Sequence, residues 1–402
     1  MVYQGDLFDV LPTLDAESVD ACVTDPPYGL GFMAKDWDVP GGIGAFPMRR
    51  RVETDAVNTG ASRQGGRQRT CVDFQKRQNR DAQAMQAEAE QWAREVFRVL
   101  KPGAHLVAFG GTRMYHRLTA GIEDSGFEIR DCLSWLYGSG FPKSLNVGNG
   151  QGTALKPAWE PIILARKPTI GTVAANVLRH STGALNIDAC RIEHDGDDLS
   201  GGNVSGQMPG TQHEGWERPW MSNPEQRERK QARKFEGEAR AEDLGRWPAN
   251  VCLDEDVAAM LDEQSGELAS GANPERRSAD KHRTVYQCWK GEQTCLPARG
   301  FDAGGASRFY YVAKPSQEER NFGAVNKHPT VKPVELMRWL VKLVVPLNGL
   351  CLDPFTGSGT TGMACAYELR QFVGIEREPE YAELAKQRIA AVAPLFSGEV
   401  QS

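Results

Sequence analysis

The chain has 402 residues, a formal net charge of −6 and 25% charged residues. The acidic balance argues against a protein that coats nucleic acid through bulk positive charge, although it is compatible with a local basic groove. No stretch has the apolar length of a membrane span, so we expect a globular protein whose length suits two or three domains.

The cysteines indicate a reducing compartment. Nine cysteines are scattered along the chain without a Cys-x-x-Cys pair, and the first residues do not form a signal peptide. His282, Cys288 and Cys295 are close in sequence, but their spacing matches no usual zinc pattern. We therefore expect reduced thiols, no metal site and an intracellular location.

The first elements are a strand end, a short helix, a buried strand and a proline turn. Val19-Asp20-Ala21-Cys22-Val23 is typical of a short buried strand, and Thr24-Asp25-Pro26-Pro27-Tyr28-Gly29 follows it. The two prolines end the strand and fix φ twice. A carboxylate, a free carbonyl and an aromatic ring are the groups that can hold a flat base with an exocyclic amine. An edge strand that ends in a proline turn is the alternative.

Residues 40–80 lose apolar periodicity and are rich in glycine, arginine and glutamine. The basic residues of this stretch are Arg49, Arg50, Arg51, Arg63, Arg67, Arg69, Lys76, Arg77 and Arg80. A solvated loop is the usual explanation of such a run. Its position just after the proline turn also suits contact with DNA phosphates.

The next segments alternate between strands and helices. We predict a helix over 81–100, a strand over 105–110, a helix over 112–124, and strands over 127–137 and 160–166. This alternation predicts a parallel, doubly wound α/β sheet. Phe141, in a glycine-rich loop at the rim of that sheet, suits stacking on a base and a hydrophobic plug equally well.

Residues 172–300 break this rhythm. Glycine, asparagine, proline and mixed charges dominate, with isolated tryptophans at Trp216, Trp220, Trp247 and Trp289. The segment is typical of an inserted module with irregular structure. A DNA-reading module is the functional interpretation, and a disordered linker is the alternative for 196–245.

The C-terminal part predicts a ligand loop between two buried strands. A helix over 333–345 precedes a strand over 349–353, and Asp353-Pro354-Phe355-Thr356-Gly357-Ser358-Gly359-Thr360-Thr361 then opens a helix. Its glycines permit close approach of a ligand to the backbone, and the amides that begin the helix favour a carboxylate. Glu376 ends the next strand, where an acid can accept both hydroxyls of a ribose. A nicotinamide dinucleotide is a rival ligand, although Gly-x-Gly-x-x-Gly is absent.

These motifs together resemble a known family. The Asp353 loop resembles motif I of the S-adenosylmethionine-dependent methyltransferases, and the Thr24–Gly29 turn resembles motif IV of the DNA methyltransferases that act on adenine N6 or cytosine N4. Lys327-His328-Pro329-Thr330-Val331-Lys332-Pro333 resembles motif X, near the methionine end of the cofactor. Gly5-Asp6 resembles the acidic turn that holds the cofactor's adenine. The order of catalytic motif, insert and cofactor motifs resembles the β group of this family.

The resemblance implies a role for each matching residue. Asp25 and the carbonyl of Pro26 would accept the hydrogens of the target amine, Pro27 completes the motif, and Tyr28 would stack on the flipped base. The implied cofactor residues are Asp6, Thr330, Lys332, Asp353, Phe355, Gly357, Ser358, Gly359, Thr360 and Glu376. A solvent-facing helix cap is the alternative for Lys332.

We therefore expect an α/β protein with a doubly wound, Rossmann-like methyltransferase sheet and a large irregular insert. The expected core spans 1–171 and 301–395, the target-recognition region spans 172–300, and 396–402 form a tail. The resemblance implies transfer of a methyl group from S-adenosylmethionine to adenine N6 in DNA, because the Asp-Pro-Pro-Tyr form goes mostly with adenine. Cytosine N4, and a non-catalytic DNA-binding protein on a methylase core, stay open.

The implied partner is DNA, and the implied location is the cytoplasm of a bacterial or phage-infected cell, away from membranes. The sequence leaves open whether the protein is a homodimer and whether a restriction endonuclease is paired with it.

Overall fold

The computed structural model describes residues 1–29, 71–140, 144–193, 225, 229, 244–269, 303–313, 321–326, 328 and 330–392, with side chains for all of these except 71–80 and 269. The chain forms two compact units. The first contains Met1–Asn186, Asn250–Glu255 and Ala313–Ser402, and the second contains Ile187–Ala249 and Asp256–Val312. Phe141, the basic side chains expected between 49 and 80, and His282, Cys288 and Cys295 lie outside the described residues.

The strands and helices are numbered here in chain order. The strands are β1 (Val2–Gln4), β2 (Val19–Thr24), β3 (Leu100–Phe109), β4 (Glu128–Leu136), β5 (Asn146–Gly148), β6 (Gln151–Gly152), β7 (Trp159–Arg166), β8 (Val251–Asp254), β9 (Leu268–Ala269), β10 (Ala303–Gly304), β11 (Tyr311–Ala313), β12 (Leu350–Asp353) and β13 (Gln371–Glu376). The helices are α1 (Leu7–Val10), α2 (Cys71–Val99), α3 (Tyr115–Asp124), α4 (Val173–His180), α5 (Glu255–Ser265), α6 (Val334–Val344), α7 (Thr360–Tyr367) and α8 (Pro379–Val392).

The first unit is built on a large sheet in the order β1-β13-β12-β2-β3-β7-β4-β8. Neighbours in this series pair in parallel except at β7, which runs antiparallel to both β3 and β4. The expected α/β fold class is confirmed. The expected parallel direction has one exception in this series, at β7, because an apolar run is buried equally well in either direction and carries no signal for its orientation.

The strands that carry the two main motifs are neighbours. β12 pairs in parallel with β2, with Cys351 opposite Ala21 and Leu352 opposite Cys22. All six residues of β2 are buried. Because parallel strands end at the same edge of a sheet, the turn after β2 and the loop after β12 emerge side by side.

Buried side chains pack against the loop after β12 and around the helix that follows it. Trp92 of α2 is 1% exposed, and its ring meets the ring of the loop residue Phe355 edge to face with the centroids 5.5 Å apart. Val334, Met363 and Val392 form a buried cluster with one residue from each of α6, α7 and α8. The first contact supports the loop itself, and the cluster packs the helix that the loop opens.

Several expected boundaries are corrected by the structure. α2 begins at Cys71 rather than at 81, and β3 already begins at Leu100. The Pro102-Gly103 pair, expected to separate a helix from a strand, instead lies inside β3. The register between β2 and β3 shifts there, and Gly103 takes a positive φ of 79°. Such an irregularity lets a strand contain a proline without a lost ladder bond.

The compact units also divide the chain at other points than 171/172 and 300/301. Helix α4 belongs to the first unit, and so does β8, whose Val251-Cys252-Leu253 run is an apolar strand paired with β4. Part of the expected insert is thus regular structure of the sheet unit. In the part of the chain that the structure describes, no helix is both long and apolar enough to cross a membrane.

Candidate active site

The turn after β2 places Asp25 and Tyr28 next to each other. The Tyr28 hydroxyl lies 3.0 Å from Asp25 Oδ1, and its ring packs against Gly111, where an added Cβ would lie 3.0 Å from Cδ2 of the tyrosine. The backbone of Gly111 therefore leaves room for the ring that a side chain would fill. The Asp25 side chain is 24% exposed, so its carboxylate can reach a ligand.

Two further charged residues meet this turn. Lys332 Nζ lies 2.7 Å from Asp25 Oδ2, 3.1 Å from the Tyr28 hydroxyl and 3.3 Å from Glu160 Oε2. The Tyr28 hydroxyl also lies 3.0 Å from Glu160 Oε2. Since a hydroxyl has one proton, Tyr28 donates to one carboxylate at a time and accepts from Lys332. We call these four residues, Asp25, Tyr28, Glu160 and Lys332, the charge cluster.

Burial and charge fix the protonation of two members of the cluster. Burial, followed by the charges of Asp25 and Glu160, raises the pKa of Tyr28 well above its ordinary value, so the phenol stays neutral. Burial opposes the charge of Lys332, but the two carboxylates outweigh it, and the pKa of Lys332 lies above its ordinary value. The ammonium is thus retained at 9% exposure.

The carboxylate of Asp353 organises the loop after β12. Its Oδ1 accepts from Thr24 Oγ1 at 2.6 Å and from the amide of Phe355 at 3.0 Å, and its Oδ2 accepts from Thr361 Oγ1 at 2.6 Å. It is 2% exposed, and burial raises its pKa to about 6. Both oxygens are occupied by protein donors, which tie the loop to β2 and to the first turn of α7.

The two glycines of the loop have left-handed backbone conformations. Gly357 has a φ of 53°, and an added Cβ would lie 3.2 Å from His328 Nε2. Gly359, the N-cap of α7, has a φ of 83°, and an added Cβ would lie 2.8 Å from the Cα of Ala385 in α8. The loop therefore passes close to a pocket side chain at one glycine and to a helix backbone at the other.

Glu376 holds the same loop from the end of β13. Its Oε2 accepts from the amide of Gly357 and its Oε1 from the amide of Glu378, both at 2.8 Å. Burial raises the pKa of Glu376 to about 7. Each carboxylate oxygen has a second lone pair, so further donors can still bind.

One cavity joins the turn and the loop. It has a volume of about 1270 Å³ and lies within the first unit. Every site residue expected from the sequence lines it except Gly359, which packs behind the loop against α8. The residues that the cavity brings together are Asp6, Asp25, Pro26, Pro27, Tyr28, Thr330, Lys332, Asp353, Phe355, Gly357, Ser358, Thr360 and Glu376.

Comparison with known proteins assigns the chain to a family. A family model described as DNA methylase, of the N6/N4 class, matches residues 19–387. The chain belongs to this DNA methylase family. The resemblance inferred from the motifs is thereby confirmed, and S-adenosylmethionine is the cofactor that goes with it.

Two relatives and one solved structure illustrate how far the likeness extends. The chain is 29% identical to type II methyltransferase M.HindIII of Haemophilus influenzae over 203 residues, covering 46% of this chain and 64% of the relative. It is 42% identical to type II methyltransferase M2.MboI of Moraxella bovis over 73 residues, covering 18% and 27%. The matches thus span less than two thirds of either relative. The structure of PvuII DNA methyltransferase (cytosine-N4-specific) aligns with 98% of this chain and 90% of its own at a TM-score of 0.45 and 14% identity.

Two expected cofactor residues of the methylase also make contacts that the motifs did not predict. Lys332 lines the cavity and is 9% exposed, so it is not a solvent-facing cap, and its ammonium lies within the charge cluster. Asp6 caps α1, accepting from the amide of Phe8 at 2.9 Å, while it also lines the cavity. Within the described residues, no group of histidine, cysteine and acidic side chains is placed to hold a metal ion.

Three residues of this methylase were given no role in the sequence analysis, although one of them, His328, lies inside the stretch that resembles motif X. Glu160 completes the charge cluster. The sequence indicates it only as an acidic residue near the start of a largely apolar strand. Arg388 of α8 is fully buried, and its Nη1 donates to the carbonyl of Ser358 at 2.7 Å and to its hydroxyl at 2.9 Å. The ring of His328 faces Gly357 and meets Tyr381 edge to face at 4.5 Å, and burial lowers its pKa.

Proposed function

We propose that this DNA methylase transfers a methyl group from S-adenosylmethionine to the exocyclic N6 amine of adenine in DNA. The observation that carries the proposal is the single cavity lined by both the Asp25 turn and the Gly357 loop. A methyl transfer between two substrates needs two adjoining sites in line, and the neighbouring strands β2 and β12 supply them.

The base side of the cavity offers acceptors and a ring. Asp25 and the carbonyl of Pro26 accept the two amine hydrogens, and the Tyr28 ring stacks on a base that has left the helix. The amine's lone pair is delocalised into the ring of the base. Acceptors for both hydrogens favour the tetrahedral nitrogen that develops during attack, and the charge of Asp25 stabilises the positive charge that builds up there.

The reaction needs no nucleophile from the protein. S-adenosylmethionine supplies, when bound, a methyl group on a sulfonium centre. With Asp25 and the Pro26 carbonyl holding the amine, the cofactor would supply this methyl group to the amine nitrogen, its sulfur would keep the carbon–sulfur electron pair, and one amine proton would be lost to solvent. The protein's own part is to orient the amine, to exclude wrong bases and to stabilise charge.

The residues of the loop after β12 fit this cofactor. The glycine at 357 leaves space beside His328 that a side chain would take from a ligand, and the first-turn amides of α7 suit the carboxylate of a methionine moiety. Glu376 lines the cavity, and each of its two carboxylate oxygens keeps a lone pair with which it can accept from a ribose hydroxyl. We assign Asp6 to the adenine end of the cofactor, and Thr330, Phe355, Ser358 and Thr360 to the cavity wall around it. Asp353 and Gly359 shape the loop.

Adenine is proposed as the target because the turn has the Asp-Pro-Pro-Tyr form. The acceptors and ring of the cavity also suit cytosine N4, so the product decides between the two bases. The purified full-length protein would be incubated with genomic DNA and isotope-labelled S-adenosylmethionine, and the digested nucleosides separated by mass spectrometry. Label in N6-methyldeoxyadenosine is expected. Label in N4-methyldeoxycytidine would reassign the target, and no label in any nucleoside would refute methyl transfer.

The role of Asp25 is tested with Asp25→Ala and Asp25→Asn. Loss of one charged acceptor in a buried site costs about 10²–10³ in rate, by analogy with oxyanion donors. We expect such a loss in single-turnover rate with almost unchanged cofactor affinity in calorimetry. Asp131→Asn, at an exposed carboxylate of β4, is the matched control. A folded Asp25→Ala protein that methylates DNA at a normal rate would contradict the mechanism.

We further propose that the expected insert at 172–300 selects the DNA sequence, because the sheet core supplies no sequence reader. The bounds of the compact units define which residues should be exchanged to test this proposal. Residues 187–249 and 256–312 would be replaced by those of a relative with another recognition site, while Asn250–Glu255 stays, since β8 belongs to the sheet. The modified site is expected to move with the exchanged segments. An unchanged site in a well-folded hybrid would place recognition elsewhere, for example in the basic stretch at 49–80.

A further inference from the structure

The charge cluster contains two charged residues, Glu160 and Lys332, more than an amine-binding turn needs. Asp25 follows β2, Glu160 lies in β7 and Lys332 precedes α6, so three separate elements bring these charges together. The side chains of Asp25 and Glu160 are 24% and 20% exposed, and that of Lys332 is 9% exposed. Such partly buried charges interact more strongly than charges on the surface.

The balance of charge in the cluster depends on Glu160. The two carboxylates carry two negative charges and Lys332 one positive charge, while Tyr28 is neutral. The cluster therefore has a net charge of −1 beside the space for the target amine. Without Glu160, the ammonium would have Asp25 as its one carboxylate partner in the cluster, and the pair would have no net charge. His328 and Asp353 also act electrostatically on Asp25. Both are the same in every variant considered below.

We propose that Glu160 is a positioning residue of the methyl transfer, which neutralises Lys332 so that the negative charge of Asp25 remains directed at the target amine. This inference rests on the proposed function, since it concerns the transition state of that reaction. Positive charge develops on the amine nitrogen as it attacks, and an acceptor acts on the rate only through interactions that strengthen at that stage. An Asp25 carboxylate fully paired with Lys332 would be a weaker acceptor.

Glu160→Gln tests this with little change of shape. Glutamine keeps one oxygen for the Tyr28 hydroxyl, removes the charge and replaces the second oxygen with an amide nitrogen that donates. We expect the single-turnover methylation rate to fall about ten- to a hundredfold, less than for a group that touches the amine itself. The dissociation constants of S-adenosylmethionine and of DNA should stay within about twofold, because the contacts of Glu160 are with Tyr28 and Lys332.

A second substitution distinguishes charge balance from structure. Lys332→Met in the Glu160→Gln protein removes the uncompensated ammonium and returns the cluster to a net charge of −1. We expect the double variant to be at least about fivefold faster than Glu160→Gln, a non-additive effect typical of groups in one network. A structural role for Glu160 predicts the opposite, because a second deletion from a packed cluster would lower the rate further.

Two further variants serve as controls for the loss of the carboxylate charge at Glu160. Glu160→Asp keeps the charge and should retain more activity than Glu160→Gln. Glu128→Gln removes a carboxylate from β4 whose partner, Arg166 in β7, lies 2.6 Å away and outside the cavity. It should leave the rate unchanged. Thermal melts of all variants show which of them are folded.

The outcomes separate this inference from the proposed function. If the wild-type protein does not methylate DNA, the proposed function fails. If the wild type methylates DNA, the inference is overturned by a Glu160→Gln protein with a normal rate, or by a folded double variant no faster than Glu160→Gln. A slow Glu160→Gln protein whose rate recovers when Lys332 is also replaced supports it.

Discussion

Replacement by alanine should have different consequences at Gly359 and at Gly357, the two glycines of the loop after β12. A Cβ at Gly359 would lie 2.8 Å from Cα, 2.9 Å from Cβ and 3.1 Å from the carbonyl oxygen of Ala385. These are atoms of a helix that cannot move independently. A Cβ at Gly357 would instead lie 3.2 Å from the ring of His328, which is a side chain in the cavity. The first substitution therefore acts on packing, and the second acts on the ligand site.

The expected magnitudes follow from these contacts. Either alanine would occupy a left-handed conformation, with φ at 53° or 83°, at a cost of about 1–2 kcal/mol. Gly359→Ala adds overpacking against the helix backbone, typically about 1–3 kcal/mol. Its total loss is thus about 2–5 kcal/mol, a large part of the roughly 5–15 kcal/mol by which a domain is stable. Gly357→Ala should lose little stability beyond the backbone term.

Urea unfolding and calorimetry on the two variants measure these losses. Gly359→Ala should show the larger fall in the free energy of unfolding, with the cofactor still bound by the folded fraction. Gly357→Ala should show the smaller fall in the free energy of unfolding. Its affinity for the cofactor should be lower by about tenfold or more, which is a loss of about 1.4 kcal/mol of binding free energy. Two results would refute the reasoning: a Gly357→Ala protein less stable than Gly359→Ala, or one that binds S-adenosylmethionine as tightly as the wild type.

Two further variants test the supports of the loop. Arg388→Met should lower the free energy of unfolding by about 1–3 kcal/mol for each polar group of Ser358 left without its donor, as measured in urea, and cofactor affinity should fall with it. A variant as stable as the wild type would mean that the buried guanidinium contributes nothing to the loop. For Glu376, the pKa in the folded state is about 7 against an ordinary 4.5, so its contribution to stability is fully present below pH 4.5 and is lost as the pH rises to 7. The contribution of Glu376 to the free energy of unfolding of the ligand-free protein should fall across this window by on the order of 3 kcal/mol, in addition to the loss from Asp353, whose pKa is also raised, so Glu376→Gln should make the total fall smaller without abolishing it.

The accuracy of the expectations from sequence depended on the kind of element. The strand that ends at Asp353 and the end of the next strand at Glu376 were located to within a residue, because short apolar runs with glycine or proline borders are strong local signals. β8 was missed, because four residues in a polar stretch carry no periodicity. Its strand character comes from pairing with β4, which no local pattern reveals.

The same limit applies to the candidate site. The Asp25 turn and the Gly357 loop were predicted because each is a contiguous motif. Glu160 was not, because its role arises only from contacts with Tyr28 and Lys332, which are distant in sequence. The position of Lys332 could not be decided from sequence either, since its nearest carboxylate, Asp25, is 307 residues away.

One hydrogen bond explains how motifs from opposite ends of the chain work at one site. Thr24, the last residue of β2, donates to the Asp353 carboxylate that also fixes Phe355 and Thr361. The residue after Thr24 is Asp25, so the Asp25 turn and the loop after β12 are held by the same buried carboxylate. Their alignment depends on the adjacency of β2 and β12 in the sheet and not on which strand comes first in the chain. A permuted order of motifs can therefore preserve the geometry of methyl transfer, provided that this strand pair and its shared carboxylate are retained.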